Sequence, residues 1–318
     1  MIRRVAAVLA LTSVLAVSAC ATTPTAVPPR PESAAPSAPP PAGPPTCNNA
    51  TQSYAPTGAL PGPNALPAGS TMAAIKERGR LVVGVSADSY LLGSRNPSSG
   101  VIEGFDIDMA DQVAKAIFGP DAKAQLRVIT AADRLPLLQK HEVDLVVRNM
   151  TMTCDRWQQI GFSAEYYRSG QKLMVRRGSG ITDLNSLAGH RVCAPNATSS
   201  LTQIQQLAPE AIAVPSDSHT GCLVLFREGR VDAVTGDDTV LAGLAAQDPY
   251  AVVLAGDPFT QEPYGIGVPA DQPDMARFIN ALLEQMRADG RWQASYDRWL
   301  RPTLGDGRQP EPVYGRNA

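Results

Sequence analysis

Between residues 80 and 300, short apolar runs alternate with stretches of helical spacing. Residues 80–85 (RLVVGV) read as a buried strand. Residues 105–118 (FDIDMADQVAKAIF) repeat apolar positions every three or four residues until Gly119-Pro120 stops the pattern. The same reading predicts strands at 126–129, 143–147, 172–176, 190–194, 212–214, 231–235 and 251–254. Helices are predicted at 135–140, 201–207, 222–228 and 239–246, and two more, 275–289 and 291–300, flank Gly290. This order predicts an α/β protein of open sheets covered by helices, with ligand loops at the carboxyl ends of the strands.

The first seventy residues follow other rules. Arg3 and Arg4 precede an apolar run at 5–17, about 20 Å long as a helix at ~1.5 Å per residue. That is too short for the roughly 30 Å hydrocarbon core. The run ends in Val17-Ser18-Ala19-Cys20, which resembles the bacterial lipobox. The expectation is a signal peptide at 1–19 and a lipid on Cys20, with an ordinary secretory signal as the alternative. Fourteen of the 28 prolines fall between Ala21 and Ser70, where only Arg30 and Glu32 are charged. Such a stretch buries little apolar surface, so 20–70 is expected to be a solvated, PPII-biased tether.

Composition narrows the chemistry. With 44% hydrophobic and 18% charged residues, the 318-residue chain is globular in character. Its formal charge is −2, or −4 (26 basic against 30 acidic) once Arg3 and Arg4 are removed. That balance makes no claim on nucleic acid or an anionic membrane surface. Three histidines leave little room for a metal cluster or a histidine relay. Beyond Cys20 there are Cys47, Cys154, Cys193 and Cys222, enough for two disulfides in an exported protein, with three connectivities open. CxxC spacing is missing, as are the GxSxG, HExxH, P-loop and GxGxxG motifs, so no cofactor or metal is expected.

Three loops could carry binding chemistry. Asn149-Met150-Thr151-Met152-Thr153-Cys154-Asp155-Arg156 follows the strand at 143–147, and a guanidinium there can take a carboxylate in bidentate fashion. Pro195-Asn196-Ala197-Thr198-Ser199-Ser200 opens a helix, where free backbone N–H groups favour an anion. Gly236-Asp237-Asp238 places a carboxylate where an ammonium group could dock. Each has a bland counterpart: Thr153 or Asp155 as a helix cap with Arg156 as a surface charge, routine N-capping in the second loop, and an aspartate as a cap in the third.

Taken in order and spacing, several segments resemble the family 3 extracellular solute-binding proteins, the receptors of polar amino-acid ABC transporters. They are Gly104-Phe105-Asp106-Ile107-Asp108; Val143-Asp144-Leu145 with Thr151 to Arg156 and Phe162-Ser163-Ala164-Glu165-Tyr166-Tyr167; and Gly229 to Val234 with Asp237 and Tyr264-Gly265-Ile266-Gly267-Val268. The lipobox, tether and extra cysteines are similar to the glutamine/glutamate-binding lipoproteins within that family. The resemblance implies a type II periplasmic-binding-protein fold of two α/β lobes joined by two hinge strands. Lobe 1 would comprise 71–168 and 261–305, lobe 2 would comprise 169–260, and 306–318 would be a tail.

The resemblance also implies roles. Arg156 would hold an α-carboxylate, aided by the Thr151 hydroxyl and the Asn149 backbone, with Thr198 and Ser199 adding a hydroxyl and N–H groups from lobe 2. Asp237 would take the α-ammonium, and Ser86 and Tyr90 would line the pocket, Tyr90 as an aromatic wall. Asn149 stands where many members have glycine, and Ala131 where glutamine binders place an aromatic. Arg134, 22 residues before Arg156, matches an arginine that takes the side-chain carboxylate in acidic amino-acid binders. Two arginines without a second compensating anion would repel, which favours aspartate or glutamate over asparagine or glutamine. The family fold pairs Cys193 with Cys222 and leaves Cys47 for Cys154. The expected partners are a free amino acid and an ABC permease, with a membrane sensor as the alternative reader of lobe closure. A dehydratase is the remote alternative; with Asp237 committed and no histidine in a ligand loop, an enzyme is not expected. The protein is expected at the outer face of the cytoplasmic membrane as a monomer, touching the membrane through its lipid alone.

Overall fold

A computed structural model describes residues 47–317. The expected signal peptide, Cys20 and the tether up to residue 46 lie outside the described residues. Among those described, the strands form two principal sheets and two small ones. In the first principal sheet, Val82–Val85 lies between Gln125–Val128 and Leu145–Val146, all parallel. The antiparallel strand Gly267–Val268 then joins Leu145–Val146 to Gly161–Phe162. Leu81, Val83 and Val85 are wholly buried, because a central parallel strand is covered on both faces.

The second principal sheet runs Ile212–Ser216, Arg191–Pro195, Ala233–Asp237, Tyr167–Arg176, Ala251–Val253. Thr260–Tyr264 also pairs antiparallel with Tyr167–Arg176, in a register that sets Tyr264 opposite Tyr167. The chain therefore passes between the sheets twice, side by side, which is the two-lobe architecture with two hinge strands. The helix Phe105–Phe118 forms where the apolar spacing predicts it, and strand limits elsewhere move by one to five residues.

The hinge is anchored by an aromatic cluster. Tyr264 lies 5.6 Å from Tyr167 and 6.1 Å from Tyr166, ring centre to ring centre, and Phe105 sits edge-on to Trp292 at 5.6 Å. The Trp292 indole donates to the Tyr166 carbonyl at 2.7 Å. Such rings bury large apolar areas and add about 0.5–1.5 kcal/mol per well-placed pair.

The tether ends earlier than residue 70. Ser70 caps the helix Thr71–Arg78, Gln52–Ser53 pairs in parallel with Val313–Tyr314, and Ser53 is fully buried. Asn280 donates to both the Ser53 hydroxyl and the Tyr54 carbonyl. Tyr54, Leu60 and Leu66 pack on the core. A proline-rich segment can dock with no more than a two-residue strand when side chains of the body satisfy its carbonyls, so composition alone misplaces this boundary. The same pairing holds part of the expected tail.

Both disulfides are present as the resemblance implied, with Cα separations of 6.0 Å for Cys47–Cys154 and 5.5 Å for Cys193–Cys222. Beside the first, the Trp157 indole donates to the Ala50 carbonyl at 2.6 Å, and the Arg316 guanidinium lies 3.7 Å from the Trp157 ring centre.

Gly104 shows why the GFDID motif begins with glycine. Its φ is 143°, and a Cβ there would lie 2.3 Å from the Leu92 carbonyl oxygen. Just beyond it, the Phe105 and Asp106 amides donate to the Leu91 and Leu92 carbonyls. Gly104→Ala should destabilise the fold by about 1–3 kcal/mol, read as a lower urea midpoint with unchanged m-value. An unchanged midpoint would show that this close approach is not required.

Candidate ligand-binding site

Loops from both sheets converge on a set of buried charges. Arg134 opens the helix Arg134–Gln139 after the edge strand Gln125–Val128, and Arg156 lies in the short helix Cys154–Trp157. Both guanidiniums are buried, and neither has a side-chain carboxylate within salt-bridge reach among the described residues. Carbonyls take their hydrogens instead. Arg134 donates to Ala131 and Ala197 at 2.9 Å, with longer contacts to Arg148 and Asn149. Arg156 donates to Thr151 at 2.6 Å and to Ala197 at 3.3 Å. Burial holds both guanidiniums below their ordinary pKa, Arg134 well below because Arg156 and Arg148 add like charge.

Ala197 lies in the loop between Arg191–Pro195 and Ser199–Leu207, so its carbonyl brings the second lobe onto both arginines of the first. Thr151 and Ser199 repeat this meeting, with hydroxyl oxygens 3.1 Å apart. A cavity of about 460 Å³ opens beside Arg156, lined in part by Met152, Ala197, Ser199 and Thr202.

Asp237 ends the strand Ala233–Asp237 and is buried. One carboxylate oxygen accepts from the Tyr264 hydroxyl; the other, Oδ1, has no hydrogen-bond partner. Burial pushes its pKa up to about 8, helped by the neighbouring Glu262 carboxylate and opposed by the Tyr264 hydroxyl. Asn149 has φ 33°; its N–H donates to Asp106 at 2.8 Å, and its side-chain Oδ1 is likewise buried without a partner. Asp106, which also accepts from the Tyr166 hydroxyl, is raised to about 6 by burial.

The remaining expected site residues fall differently. The Thr198 hydroxyl donates to the Pro195 carbonyl and accepts from the Leu201 N–H, so it caps its helix and has no hydrogen left to offer. The Ser86 hydroxyl is engaged by Asp88 and Ser89 within its own turn. Tyr90 is 48% exposed, and its Cβ and carbonyl lie against Gly243. The structure therefore brings together Arg134, Arg156, Asn149, Thr151, Ser199 and Asp237, while the Thr198 and Ser86 hydroxyls are engaged within their own turns and Tyr90 stands exposed beside Gly243 of the second lobe.

Four further groups belong to this neighbourhood. Glu262 is 1% exposed and accepts from Thr151, Ser199 and Thr260. The signal for it was strand alternation in Thr260-Gln261-Glu262-Pro263-Tyr264, which puts Glu262 on the face of Tyr264. Glu262 is a second buried acid beside Asp237, which the charge argument from sequence lacked, so repulsion between Arg134 and Arg156 alone no longer selects an acidic ligand. Arg148 is buried and donates to the Ile129 carbonyl. Gln171 lies opposite Asp237 in the sheet, and its Oε1 has no partner. His219, first residue of the helix His219–Arg227, is buried with Nε2 unpartnered and close to Gly236. No ligand loop contains it, but it packs beside one of them. Burial holds its pKa down to about 3, so it is neutral and a weak base.

A family model for bacterial extracellular solute-binding proteins, family 3, matches residues 81–302. The ABC transporter glutamine-binding protein GlnH of Bacillus subtilis (strain 168) is 40% identical over 232 residues, 73% of this chain and 85% of that protein. The glutamate-binding protein GluB of Corynebacterium efficiens is 31% identical over 254 residues, 76% of this chain and 84% of that one. Among solved structures, an ancestral arginine-binding protein bound to arginine aligns at TM-score 0.66 and 31% identity, covering 70% of this chain and 99% of that chain.

The raised Asp237 pKa has a thermodynamic consequence without any ligand. Between the ordinary value of 3.8 and the folded value of about 8, the unfolded chain has lost a proton that the folded chain keeps. Stability therefore falls as pH rises through that window, and the penalty is complete above it. Asp237→Asn, which cannot ionise, should be more stable than wild type by about 1–3 kcal/mol at pH 8.5, the difference shrinking toward pH 4. Urea unfolding at several pH values measures this; a pH-independent difference would show that Asp237 is not held protonated.

Proposed function

The chain belongs to the bacterial extracellular solute-binding proteins of family 3, and on that premise we propose that it captures a free polar α-amino acid between its two lobes. Glutamate and aspartate are the proposed ligands, with glutamine and asparagine bound more weakly, and the ligand is handed to an ABC importer. The observation that carries this reading is the pairing of two buried guanidiniums that lack carboxylate partners with a buried carboxylate oxygen that lacks a donor. A zwitterion supplies both complements. Arg156 takes the α-carboxylate, Asp237 the α-ammonium through Oδ1, and Arg134 the side-chain carboxylate. The names of the relatives, binding proteins for glutamine and for glutamate, support this class of ligand and a binding role rather than an enzymatic one. We further propose that Cys20 carries the lipid that holds a monomer at the outer face of the cytoplasmic membrane; among the described residues no helix is long and apolar enough to cross it.

Calorimetric titration of the purified protein with aspartate, glutamate, asparagine and glutamine tests the ligand. Losing a charge-assisted bond is worth about 1.5–3 kcal/mol, roughly ten- to a hundredfold. Arg156→Ala should weaken all four ligands by at least that factor, and Arg134→Ala the two acids more than the two amides. Glutamine binding best, with Arg134→Ala without effect, would mean that the pocket reads an amide; no binding by any of the four would end this reading. Labelling with radioactive palmitate should mark the wild type and not Cys20→Ala.

A further inference from the structure

We propose that Glu262 is a positioning residue that turns the hydroxyls of Thr151 and Ser199 into acceptors for the α-ammonium of the bound amino acid. The inference rests on the zwitterion reading above and adds to it which end of the ligand these hydroxyls serve.

Glu262 lies on the hinge strand Thr260–Tyr264 and has no cation within salt-bridge reach among the described residues. Its two oxygens are held by hydroxyls alone: Thr260 donates to Oε1 at 2.7 Å, while Thr151 at 2.6 Å and Ser199 at 2.7 Å both donate to Oε2. Thr151 follows the first-sheet strand Leu145–Val146, and Ser199 opens a helix of the second lobe. A single oxygen of the hinge therefore holds one residue from each side of the cleft.

A hydroxyl has one hydrogen and two lone pairs. Carboxylates take that hydrogen in preference to neutral oxygens, at short distances of the kind seen here. With both hydrogens directed to Oε2, the Thr151 and Ser199 oxygens face each other at 3.1 Å as lone pairs. Such a pair repels a carboxylate and accepts an N–H. The negative field extends to Asp237, whose ionised form is disfavoured by burial and then by the Glu262 charge, and which an ammonium group would restore. The α-ammonium thus meets Asp237 and two hydroxyls backed by a second acid, and the α-carboxylate is left to the guanidiniums. This reverses the role that the family resemblance implied for Thr151.

A double-mutant cycle on glutamate binding, measured by calorimetry, tests whether Glu262 acts through the hydroxyls. Glu262→Gln should weaken glutamate about tenfold and Ser199→Ala several-fold. The double variant should be no worse than Glu262→Gln alone, because the serine no longer has an oriented hydrogen to lose. Additive losses, or no loss in Glu262→Gln, would overturn the proposal. Glutarate, which keeps both carboxylates and lacks the ammonium, gives the second readout: Glu262→Gln should leave its weak binding unchanged, and a loss matching that of glutamate would reduce Glu262 to a structural part. Thr151→Val, which leaves the buried acid in place, repeats the cycle should Glu262→Gln melt much below wild type. Wild-type protein that binds none of the four amino acids would defeat the zwitterion reading itself, an outcome distinct from binding without coupling.

Discussion

The structure of the cleft follows from one constraint: an arginine cannot shed its charge, and a buried guanidinium costs several kcal/mol unless its N–H groups are met. Three are buried here, Arg134, Arg148 and Arg156. Their hydrogens go to carbonyls of Ala131, Ala197, Thr151 and Ile129, with longer contacts to Arg148 and Asn149. Two residues that supply those carbonyls adopt left-handed backbone without being glycine, Asn149 at φ 33° and Ala197 at φ 56°. That conformation costs about 1–3 kcal/mol per residue. The strain lies where a carbonyl must be turned inward to a guanidinium, so the charges of the site account for its least relaxed backbone.

The acids obey the same constraint from the other side. Asp106, Asp237 and Glu262 are buried among hydroxyl and amide donors. Two of those donors are the hinge-region tyrosines Tyr166 and Tyr264, whose rings pack into the cluster with Phe105, Tyr167, Trp292 and Tyr296. Each tyrosine thus has its ring in the core and its hydroxyl on an acid of the site. The strands that connect the two sheets are consequently the strands that hold the acids of the site, and the hinge strand is tied to Asp237 through one hydrogen bond from the Tyr264 hydroxyl. The Cys47–Cys154 bridge reaches the site similarly, since it holds the short helix that presents Arg156.

Legibility in the sequence tracked how local each determinant is. The helix Phe105–Phe118 was readable in full because its spacing and its Gly119-Pro120 stop are both local. Arg156 and Asp237 were readable as candidates because each belongs to a segment that follows a strand predicted from local pattern, and Arg134 only through its spacing from Arg156, which resembles that of the family. Thr198 was recognised as a residue of the right type in the right loop, yet whether its hydroxyl faces ligand or caps the helix depends on the φ 56° turn at Ala197, which no local pattern announces. Glu262 was missed because a lone acid in a strand reads as an exposed side chain until Thr151 and Ser199 are brought to it from far away in sequence. The docked segment 47–70 was missed for the same reason: its partners, Asn280, Arg277 and Val313–Tyr314, lie more than two hundred residues onward.

Charge counting at the assembled site bears on what it can discriminate. Three buried guanidiniums face three buried carboxyl groups, of which Asp237 keeps its proton up to about pH 8. On the proposed function the ligand ammonium draws Asp237 into its ionised form, so a neutral zwitterion meets a balanced site and an acidic amino acid adds one negative charge. Discrimination between the two then rests on hydrogen-bond complementarity at the side-chain end. Arg134 retains donors beyond those given to carbonyls, since a guanidinium has five, and these can meet a carboxylate strongly and an amide oxygen more weakly. An amide ligand also needs an acceptor for its NH₂ group, and Asn149 Oδ1 and Gln171 Oε1 are buried acceptors without donors. An asparagine side chain can present either its oxygen or its nitrogen by a half-turn about one bond. On the proposed function, Asn149 can therefore answer an amide with its oxygen and a carboxylate with its nitrogen, where a glycine at this position would offer neither. A site of this design prefers by degree, not by exclusion, consistent with a chain whose relatives are named for glutamine in one case and for glutamate in another.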